Sequence, residues 1–532
     1  MSRVPHPSLP GRWASAVDPD LTHLPGWRED PTPPVIWSVA GTDSGGAAGL
    51  SADTRVAAAM GVHLCPVVAA VTAQHSRGVE AVFALPPAQL EAQVRALAGD
   101  LPPRAIKTGL LASVAAVEVV LAQRGQALLV VDPVLGASAG GAAFCDDAVL
   151  EAYRHRLLPL TTLLTPNRSE AERLLGVPPG HLDVPELAAQ LRRLGPQAVC
   201  ITGGDAADGA LALDWLDSPL ASGWIALPRL RGTPLHHHGS GCTFATAAAA
   251  ALARGFAVPD AVVLAKMLTW CALRDGHAAG AGAGSLRPGP GFIDDPGALP
   301  VVGFDDERTV PTATRARWRR ALSGTLPDDF ARGLYAISDD PARVGPLARS
   351  GCFAHVQLRL KRKAGTSEAD LRSAIAQALA AMPAPGASAT PQLWINDHVA
   401  PALAEGADAL HLGQEDWAAL APALRECLLA RLAQGTLRLG LSSHSLWELC
   451  RARGLGPSYI ACGPIWPTTT KAMPWLPQGL AQLHWWTRMA GRPVVAIGGI
   501  LDASRVHAAR EAGAAAVCLV RAAEDWMRAA AS

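Results

Sequence analysis

The stretch LWINDHVAPALAEGADALHLG (393–413) decides the fold class of the C-terminal half of this chain. It begins with a short apolar run, Leu393–Asn396, continues through a helix-compatible segment, and ends in a second apolar run, Ala409–Gly413. Short apolar runs that alternate with helical segments predict parallel strands joined by helices. Asn396 and Asp397 stand where the first run ends, and polar residues in that position indicate a ligand site.

The same unit repeats along the rest of that half. Eight runs with strand character follow one another, and a helix-compatible stretch separates nearly every pair: Leu334–Ser338, His355–Leu360, Leu393–Asn396, Ala409–Gly413, Leu437–Ser442, Tyr459–Gly463, Val494–Gly498 and Ala516–Val520. Eight such units in about 200 residues fit a closed (β/α)₈ TIM barrel. An open eight-stranded sheet is the alternative that the pattern leaves.

The N-terminal half also alternates strands and helices, with different spacing. Its predicted strands are Val35–Ala40, Cys65–Thr72, Ala105–Thr108, Leu128–Val131, Leu163–Thr165 and Ala198–Thr202. Its predicted helices include Leu50–Met60, Ala88–Ala98, Val114–Gln123 and Pro185–Leu194. This order predicts a doubly wound α/β domain, a parallel sheet covered on both faces.

The length of 532 residues predicts two or three domains. We expect an irregular extension over residues 1–34, a first domain over 35–295 and a second over 330–532. A Gly/Pro-rich stretch followed by a charged one predicts a linker over 296–329.

Composition excludes several classes of protein. Forty-six basic residues balance 46 acidic ones, and no basic run offers a nucleic acid an electrostatic footprint. Apolar stretches are interrupted well before the roughly 20 residues of a membrane span. The ten cysteines show no metal-ligand spacing, and the N-terminus lacks a secretory pattern, so a reducing cytoplasm is expected.

Two short motifs in the first half indicate phosphate chemistry. Gly239, Gly241 and Cys242 precede an Ala-rich helix, whose first amides are expected to stabilise a transferring phosphoryl group and to lower the pKa of the cysteine. Asn167 and Glu170 follow a strand and suit a hydrated Mg²⁺ beside a nucleotide. A helix cap with an inert thiol, and a plain helix start, are the structural alternatives.

Six motifs in order carry a resemblance over residues 35–295: AGTDSGGAAGLSAD (40–53), VTAQHSRGV (71–79), KTGLL (107–111), VVDPV (130–134), LTPNRSEA (164–171) and HGSGCT (238–243). They resemble hydroxymethylpyrimidine/phosphomethylpyrimidine kinase, a ribokinase-like enzyme of thiamine biosynthesis. The resemblance implies a pyrimidine pocket formed by Asp53, Gln74, Leu110 and Val134, with Cys242 beside the hydroxymethyl oxygen. It also implies that Asn167 and Glu170 organise Mg²⁺ and ATP.

Three positions deserve comparison with that family. Relatives often carry Met near Leu110, and many carry Lys near Thr202, so one contact to the nucleotide phosphates is in question. The tract His236–His238 has the composition of a metal site, but His238 alone belongs to the family motif.

In the second half, Gln357, Arg359 and Lys361 alternate along one strand and therefore share a face. Such a row is costly to bury in a barrel without an anion. The carboxylates of Asp397 and Asp416 end the next two strands, and their convergence predicts Mg²⁺ bridging to a diphosphate. Polar or glycine residues also end the later strands: Ser442, Thr468, Thr470, Lys471, Gly499 and Val520.

These residues lie in seven ordered motifs that resemble thiamine-phosphate synthase: QLRLK (357–361), IND (395–397), LHLGQED (410–416), GLSSH (440–444), GPIWPTTTK (463–471), PQGL (477–480) and AIGGI (496–500). The resemblance implies that the pyrimidine diphosphate is bound by Gln357, Arg359, Lys361, Asn396 and Lys471, with Ser442 positioning the pyrimidine. It implies Mg²⁺ at Asp397 and Asp416. The thiazole phosphate is expected at Thr468, Thr470, Gly499 and Val520. Arg521 departs from the family, which usually has Ser there.

The two resemblances together imply a bifunctional cytoplasmic enzyme of thiamine biosynthesis that uses ATP and Mg²⁺ and acts on small molecules. Its kinase half is expected to make a pyrimidine diphosphate and its barrel to couple it to a thiazole phosphate. A pyridoxal-type kinase, or a kinase half that has become regulatory, stays open as an alternative. The oligomeric state is open as well, with a homo-oligomer among the options.

Overall fold

The structure is a computed structural model that describes residues 32–136, 145–203, 209–230, 236–304, 308–324, 328–361, 365–384, 390–468 and 477–531. The chain divides into two compact units, with the division between Leu322 and Ser323. Among the described residues, none of the helices has the length and apolar character required to cross a membrane.

The first unit is built on a ten-stranded sheet. Its strands are β1 Val35–Asp43, β2 His63–His75, β3 Gly78–Ala84, β4 Ala105–Thr108, β5 Leu128–Val131, β6 Leu163–Leu164, β7 Ala198–Ile201, β8 Leu211–Asp217, β9 Ser222–Pro228 and β10 Val301–Val302. The spatial order is β10-β9-β8-β7-β6-β5-β4-β1-β2-β3. Strands β2, β1, β4, β5, β6 and β7 pair in parallel. Antiparallel strands extend this parallel centre at both edges.

Nine helices accompany this sheet in the described ranges: α1 Gly49–Ala59, α2 Pro87–Ala98, α3 Val114–Gln123, α4 Asp147–Ala152, α5 Arg168–Leu175, α6 Val184–Arg193, α7 Ser240–Ala253, α8 Val258–Arg274 and α9 Thr312–Leu322. A π-helical turn lies at Tyr153–Leu157 and 3₁₀ turns lie at Leu158–Leu160, Pro290–Asp294 and Pro296–Ala298. Apart from the β2–β3 hairpin, helices separate the successive strands from β1 to β7, as expected of a doubly wound fold.

The segment expected to be a linker has a different structure. Val301 and Val302 form β10, which pairs with β9, and α9 belongs to the first unit. The glycine-rich stretch before it is also packed: Gly282 donates to the Ser76 hydroxyl, and a Cβ on Gly282 would lie 2.1 Å from the Ser76 carbonyl oxygen. Glycine here allows close backbone approach rather than flexibility.

The second unit is a closed barrel of eight parallel strands, β11 to β18, which confirms the predicted (β/α)₈ fold. The strands are Gly333–Ser338, His355–Leu358, Gln392–Asn396, Ala409–Leu412, Arg438–Ser443, Tyr459–Cys462, Val494–Ala496 and Ala516–Leu519. The helices α10 to α18 are Pro341–Arg349, Glu368–Ala380, Val399–Ala404, Gln414–Ala419, Pro422–Ala433, Leu446–Leu455, Gly479–Met489, Ala503–Glu511 and Ala523–Ala531.

Large aromatic residues fill part of the barrel interior. Tyr335, Trp394 and Tyr459 are buried in one cluster with Phe330 and Cys518. The Trp394 and Tyr459 rings meet edge to face with their centroids 4.8 Å apart, a preferred aromatic geometry. Because two members of this cluster are tyrosines, their hydroxyl groups bring polar atoms into the barrel.

Two candidate active sites

A cavity of about 680 Å³ lies in the first unit, beside the motifs that indicated phosphate chemistry. Its lining includes all but one of the residues predicted for this site: Gln74, Leu110, Val134, Asn167, Glu170, Gly239, Gly241 and Cys242. Thr202 lines it too. The volume is in the range of sites for small ligands.

The N-terminus of α7 forms one wall of this cavity. Gly239 is the N-cap, with φ at 92°, and a Cβ there would lie 2.2 Å from the Ala47 carbonyl oxygen. The amides of Gly241 and Cys242 belong to the first helical turn, where the helix itself provides no acceptor. Their N–H groups and the helix dipole make this wall suitable for a phosphate group.

Asp53 does not line the cavity, which differs from the expectation for the pyrimidine pocket. Its side chain is 0 % exposed, and its carboxylate is 3.0 Å from the ammonium of Lys107, which is also 0 % exposed. Ser38 and Thr246 each donate a hydroxyl hydrogen bond to the same carboxylate, over 2.6 Å and 2.7 Å. Asp53 is therefore part of a buried polar cluster beneath the site.

The cluster extends to the cavity through Asp132, which sequence reasoning did not assign. Its Oδ2 lies 4.0 Å from Lys107 Nζ and has no hydrogen-bond partner among the described residues. Burial raises the pKa of Asp132 to about 6, against the opposing charge of Lys107. The thiol of Cys242 lies close enough to this carboxylate to lower its pKa.

The expected activation of Cys242 by the helix N-terminus is wrong. Burial, together with the negative charges of Asp132 and Asp53, raises the pKa of Cys242 to about 12, although Lys107 opposes the shift. The thiol is therefore protonated at neutral pH. The removal of the thiol from water therefore outweighs the effect of the helix N-terminus on this pKa.

Asn167 and Glu170 combine the two roles considered for them. They line the cavity and also form a capping box at the start of α5, in which each side chain accepts from the other residue's backbone N–H over 2.9 Å. Thr202 forms an isolated parallel bridge with Asn167. Local capping and placement at the cavity are thus compatible.

A cation missed at the sequence level lies near Thr202. Lys266 of α8 lines the cavity, and its ammonium is 2.7 Å from Asp214, which also accepts from the Gly203 amide. Lys266 is far from the glycine motif in sequence, within an apolar helix, so spacing gave no signal for it.

Asp43 organises the loop between β1 and α1. Its carboxylate accepts from the amides of Gly45, Ala47 and Ala48. Burial would raise the pKa of Asp43, but hydrogen bonds from His238 and from these amides hold it below its usual value. His238 contacts Gln74 as well, at 2.7 Å, and the described residues contain no cluster of three or more metal-ligating side chains.

In the barrel, the row predicted to face an anion begins with the buried Gln357. Its amide donates to Asn396 over 2.6 Å, and the half-buried Arg359 lies close enough to lower the pKa of Asp397. Lys361, three residues past the end of β12, is exposed.

Asp397 and Asp416 meet at one end of the barrel. Their side chains lie close together, and burial followed by the charge of Asp416 raises the pKa of Asp397 to about 6. Asp397 has φ at 62° and donates its amide hydrogen bond to the His411 carbonyl, so the local backbone conformation fixes the position of this carboxylate. Two carboxylates so close together favour a cation, and Mg²⁺ suits oxygen ligands of this kind.

The remaining predicted residues lie at the ends of later strands. Ser442 is half-buried in β15 and contacts His411 Nε2 at 2.9 Å. Gly499 is buried, while Thr468 and Val520 are half-buried. Thr470 and Lys471 lie outside the described residues.

Comparison with known proteins gives a matching family for each unit. Residues 43–287 match the family model for phosphomethylpyrimidine kinase, and residues 334–523 match that for thiamine monophosphate synthase. The thiamine biosynthetic bifunctional enzyme TH1 of Arabidopsis thaliana, a chloroplastic protein, is 32% identical over 93% of this chain and 89% of its own length. The chain belongs to the bifunctional thiamine biosynthetic enzymes.

Single-domain relatives match the first unit. The hydroxymethylpyrimidine/phosphomethylpyrimidine kinase of Streptomyces coelicolor is 41% identical over 48% of this chain and 95% of its own length. Among solved structures, a pyridoxal kinase from Staphylococcus aureus is 28% identical, with a TM-score of 0.43, and covers 48% of this chain and 93% of that one.

Proposed function

We propose that this bifunctional enzyme catalyses successive steps of thiamine biosynthesis. The first unit phosphorylates 4-amino-5-hydroxymethyl-2-methylpyrimidine and then its monophosphate, with ATP as donor. The barrel couples the resulting diphosphate to 4-methyl-5-(2-phosphoethyl)thiazole, giving thiamine phosphate and pyrophosphate. The observation that carries the proposal is two separate groups of residues suited to phosphate esters, a helix N-terminus on a cavity and paired carboxylates at a barrel end.

In the kinase unit, Gln74, Leu110 and Val134 hold the pyrimidine, and the amides of Gly241 and Cys242 stabilise the charge of the γ-phosphoryl group during transfer. Asn167 and Glu170 orient the nucleotide, and Lys266 supplies a cation on the Thr202 side. A bound Mg²⁺ would neutralise phosphate charge there. Asp53 acts from beneath the cavity, by fixing Lys107.

The proton of the hydroxymethyl group needs an acceptor as its oxygen attacks the γ-phosphorus and ADP leaves. Cys242 is too basic to be a thiolate at rest, because its pKa is about 12. We assign the acceptor role to the pair: the sulfur takes the substrate proton while the thiol proton passes to Asp132. A pKa of about 6 keeps the Asp132 carboxylate ionised, and therefore able to accept, at neutral pH.

In the barrel, Asp397 and Asp416 fit Mg²⁺, which would neutralise the leaving diphosphate. Gln357, Arg359, Lys361, Asn396 and Lys471 hold that diphosphate ester. Its C–O bond breaks to leave a methylene cation that the aminopyrimidine stabilises, and the thiazole nitrogen then attacks the carbon. No protein nucleophile takes part.

The other ligands complete the barrel site. Ser442 positions the pyrimidine, and the thiazole phosphate is received by Thr468, Thr470, Gly499 and Val520. Arg521 is exposed next to Val520, and nothing in the structure assigns it a role.

One assay tests the whole proposal. The full chain receives the pyrimidine alcohol, ATP, Mg²⁺ and the thiazole phosphate, and thiamine phosphate is measured. Cys242→Ala is expected to stop formation from the alcohol but not from supplied diphosphate, and Asp416→Ala the reverse. A mixture of the two variants should recover the complete reaction because the diphosphate can diffuse between molecules. Absence of thiamine phosphate with the wild-type chain, or phosphorylation of pyridoxal in preference to the pyrimidine, would contradict the proposal.

Location and assembly belong to the proposal as well. All ten cysteines are free thiols in the structure, which supports a reducing compartment such as the cytoplasm. A homo-oligomer is testable by light scattering on the purified chain.

A further inference from the structure

A continuous chain of hydrogen bonds crosses the interior of the barrel and connects two of its proposed ligand residues. Asn396 contacts Gln357, Gln357 contacts Tyr335, and Tyr335 contacts Tyr459 over 2.8 Å. Tyr459 then contacts His411 Nδ1 over 2.7 Å, and His411 Nε2 contacts Ser442 over 2.9 Å. All members except Ser442, at the rim, are buried.

The direction of each hydrogen bond follows from the number of protons available. The side-chain oxygen of Asn396 faces Gln357 and accepts from its amide nitrogen. Gln357 must then donate to Asn396 and accept from Tyr335. A phenol has a single proton. Since Tyr335 uses its proton on Gln357, the bond between the tyrosines is donated by Tyr459.

The same argument sets the tautomer of His411. Tyr459 has spent its proton on Tyr335, so its oxygen accepts from His411, and Nδ1 of the imidazole carries the hydrogen. His411 is buried, and among the described residues its two ring nitrogens contact the Tyr459 and Ser442 hydroxyls and no carboxylate, so the ring is neutral and Nε2 is a bare acceptor. Ser442 therefore donates its hydroxyl proton inward, to Nε2.

We propose that Tyr335, Tyr459 and His411 are positioning residues that fix Ser442 as a hydrogen-bond acceptor toward the ligand, and so select a pyrimidine that presents a donor at that point. The inference rests on the proposed function of the barrel, since it names the chemistry that Ser442 recognises there. An exocyclic amino group offers such a donor. An oxo group in the same position presents an acceptor and leaves the Ser442 oxygen opposed by a second oxygen, which costs affinity.

The tautomer is measured first, without any activity assay. The full chain is labelled with ¹⁵N-histidine, and the His411 signals are assigned by their loss in His411→Gln. We expect the proton on Nδ1 and a bare Nε2 across neutral pH. A proton on Nε2 would overturn the proposal, because Ser442 would then accept from the ring and donate to the ligand.

Selectivity is measured second, with the aminopyrimidine diphosphate and its oxo analogue as substrates for coupling. Tyr459→Phe removes the acceptor of Nδ1–H and is expected to raise KM for the amino substrate about two- to tenfold, the range for one hydrogen bond, with a smaller change in kcat. The preference for amino over oxo should fall by a similar factor, and the ¹⁵N signals of His411 should shift.

Cys518→Ala is the matched control, because Cys518 packs in the same core cluster but makes no link in the chain. It is expected to leave selectivity unchanged. Equal selectivity in wild type and Tyr459→Phe would overturn the proposal, as would an equal loss in both variants. Failure of the wild-type chain to couple either substrate would instead refute the proposed function, while the tautomer measurement would still stand.

Discussion

Replacing the buried lysine under the kinase cavity tests how that site is held together. Lys107 and Asp53 are both 0 % exposed, and their charged groups are 3.0 Å apart. Asp132 adds a second carboxylate 4.0 Å from the ammonium. Lys107→Met keeps an unbranched side chain of similar length and removes the charge, so two buried carboxylates share a site without a counter-ion.

The expected cost is large because a buried charge is left without its partner. Breaking a buried ion pair on one side destabilises by about 3–5 kcal/mol. The sign of the pH dependence follows from Asp132. Burial already raises the folded-state pKa of Asp132 to about 6, and the loss of Lys107 is expected to raise it further. The pKa of this carboxyl in the unfolded chain stays at about 3.9. A raised carboxylate pKa favours the folded state at low pH, so the loss grows as pH increases from about 4 through the folded pKa.

Urea-dependent hydrogen exchange read by mass spectrometry follows the two units separately. The free energy of unfolding of the first unit should fall by about 3–5 kcal/mol at pH 8 and by less at pH 5.5, with the barrel unchanged as an internal control. The double variant with Lys107→Met and Asp53→Asn removes both charges of the pair and should recover much of the loss. A loss below about 1 kcal/mol, or one equal at the two pH values, would refute the reasoning.

Three further outcomes are expected. Cys242→Ser should retain more kinase activity than Cys242→Ala, measured as ADP release, because a hydroxyl also passes a proton to Asp132; equal activities would argue against the relay. Asp416→Asn should lower coupling of supplied diphosphate at least about tenfold at limiting Mg²⁺, partly recovered by excess metal, while kinase turnover is unchanged. Asn167→Ala should destabilise the first unit by about 1 kcal/mol through loss of the cap. Asn167→Asp keeps the cap and should recover this stability. If its KM for ATP does not recover as well, Asn167 has a role in nucleotide binding that is separate from capping.

The barrel was open to prediction because each of its strands is a short apolar run with a polar residue at its end. Asn396, Asp397 and Ser442 were found in this way, since strand ends in a parallel barrel meet at one rim. The kinase cavity was also largely predictable, because Gly239, Gly241 and Cys242 sit in one local motif at a helix start.

What could not be predicted depends on contacts between residues distant in sequence. Asp53 is 54 positions from Lys107, and only the folded sheet shows that they form a pair beneath the cavity rather than facing a ligand. The raised pKa of Cys242 also depends on the folded structure, since burial of the thiol is its largest cause and the charge of Asp132 comes from the residue after β5. Similarly, the sequence does not distinguish Tyr335 and Tyr459 from other strand residues. Their hydroxyl groups come into contact only when the barrel closes.

The pairing of β10 with β9 and the place of α9 in the first unit determine where the two units can be separated. Composition predicts a linker over residues 296–329, but a cut at residue 295 would remove β10 from the sheet edge and α9 with it, exposing β9 to intermolecular pairing. The fold is therefore compatible with a cut between residues 322 and 323. Such a cut would allow the two units to be separated, or the first unit to be fused to a different domain. The first unit must therefore keep residues well beyond those that line its cavity.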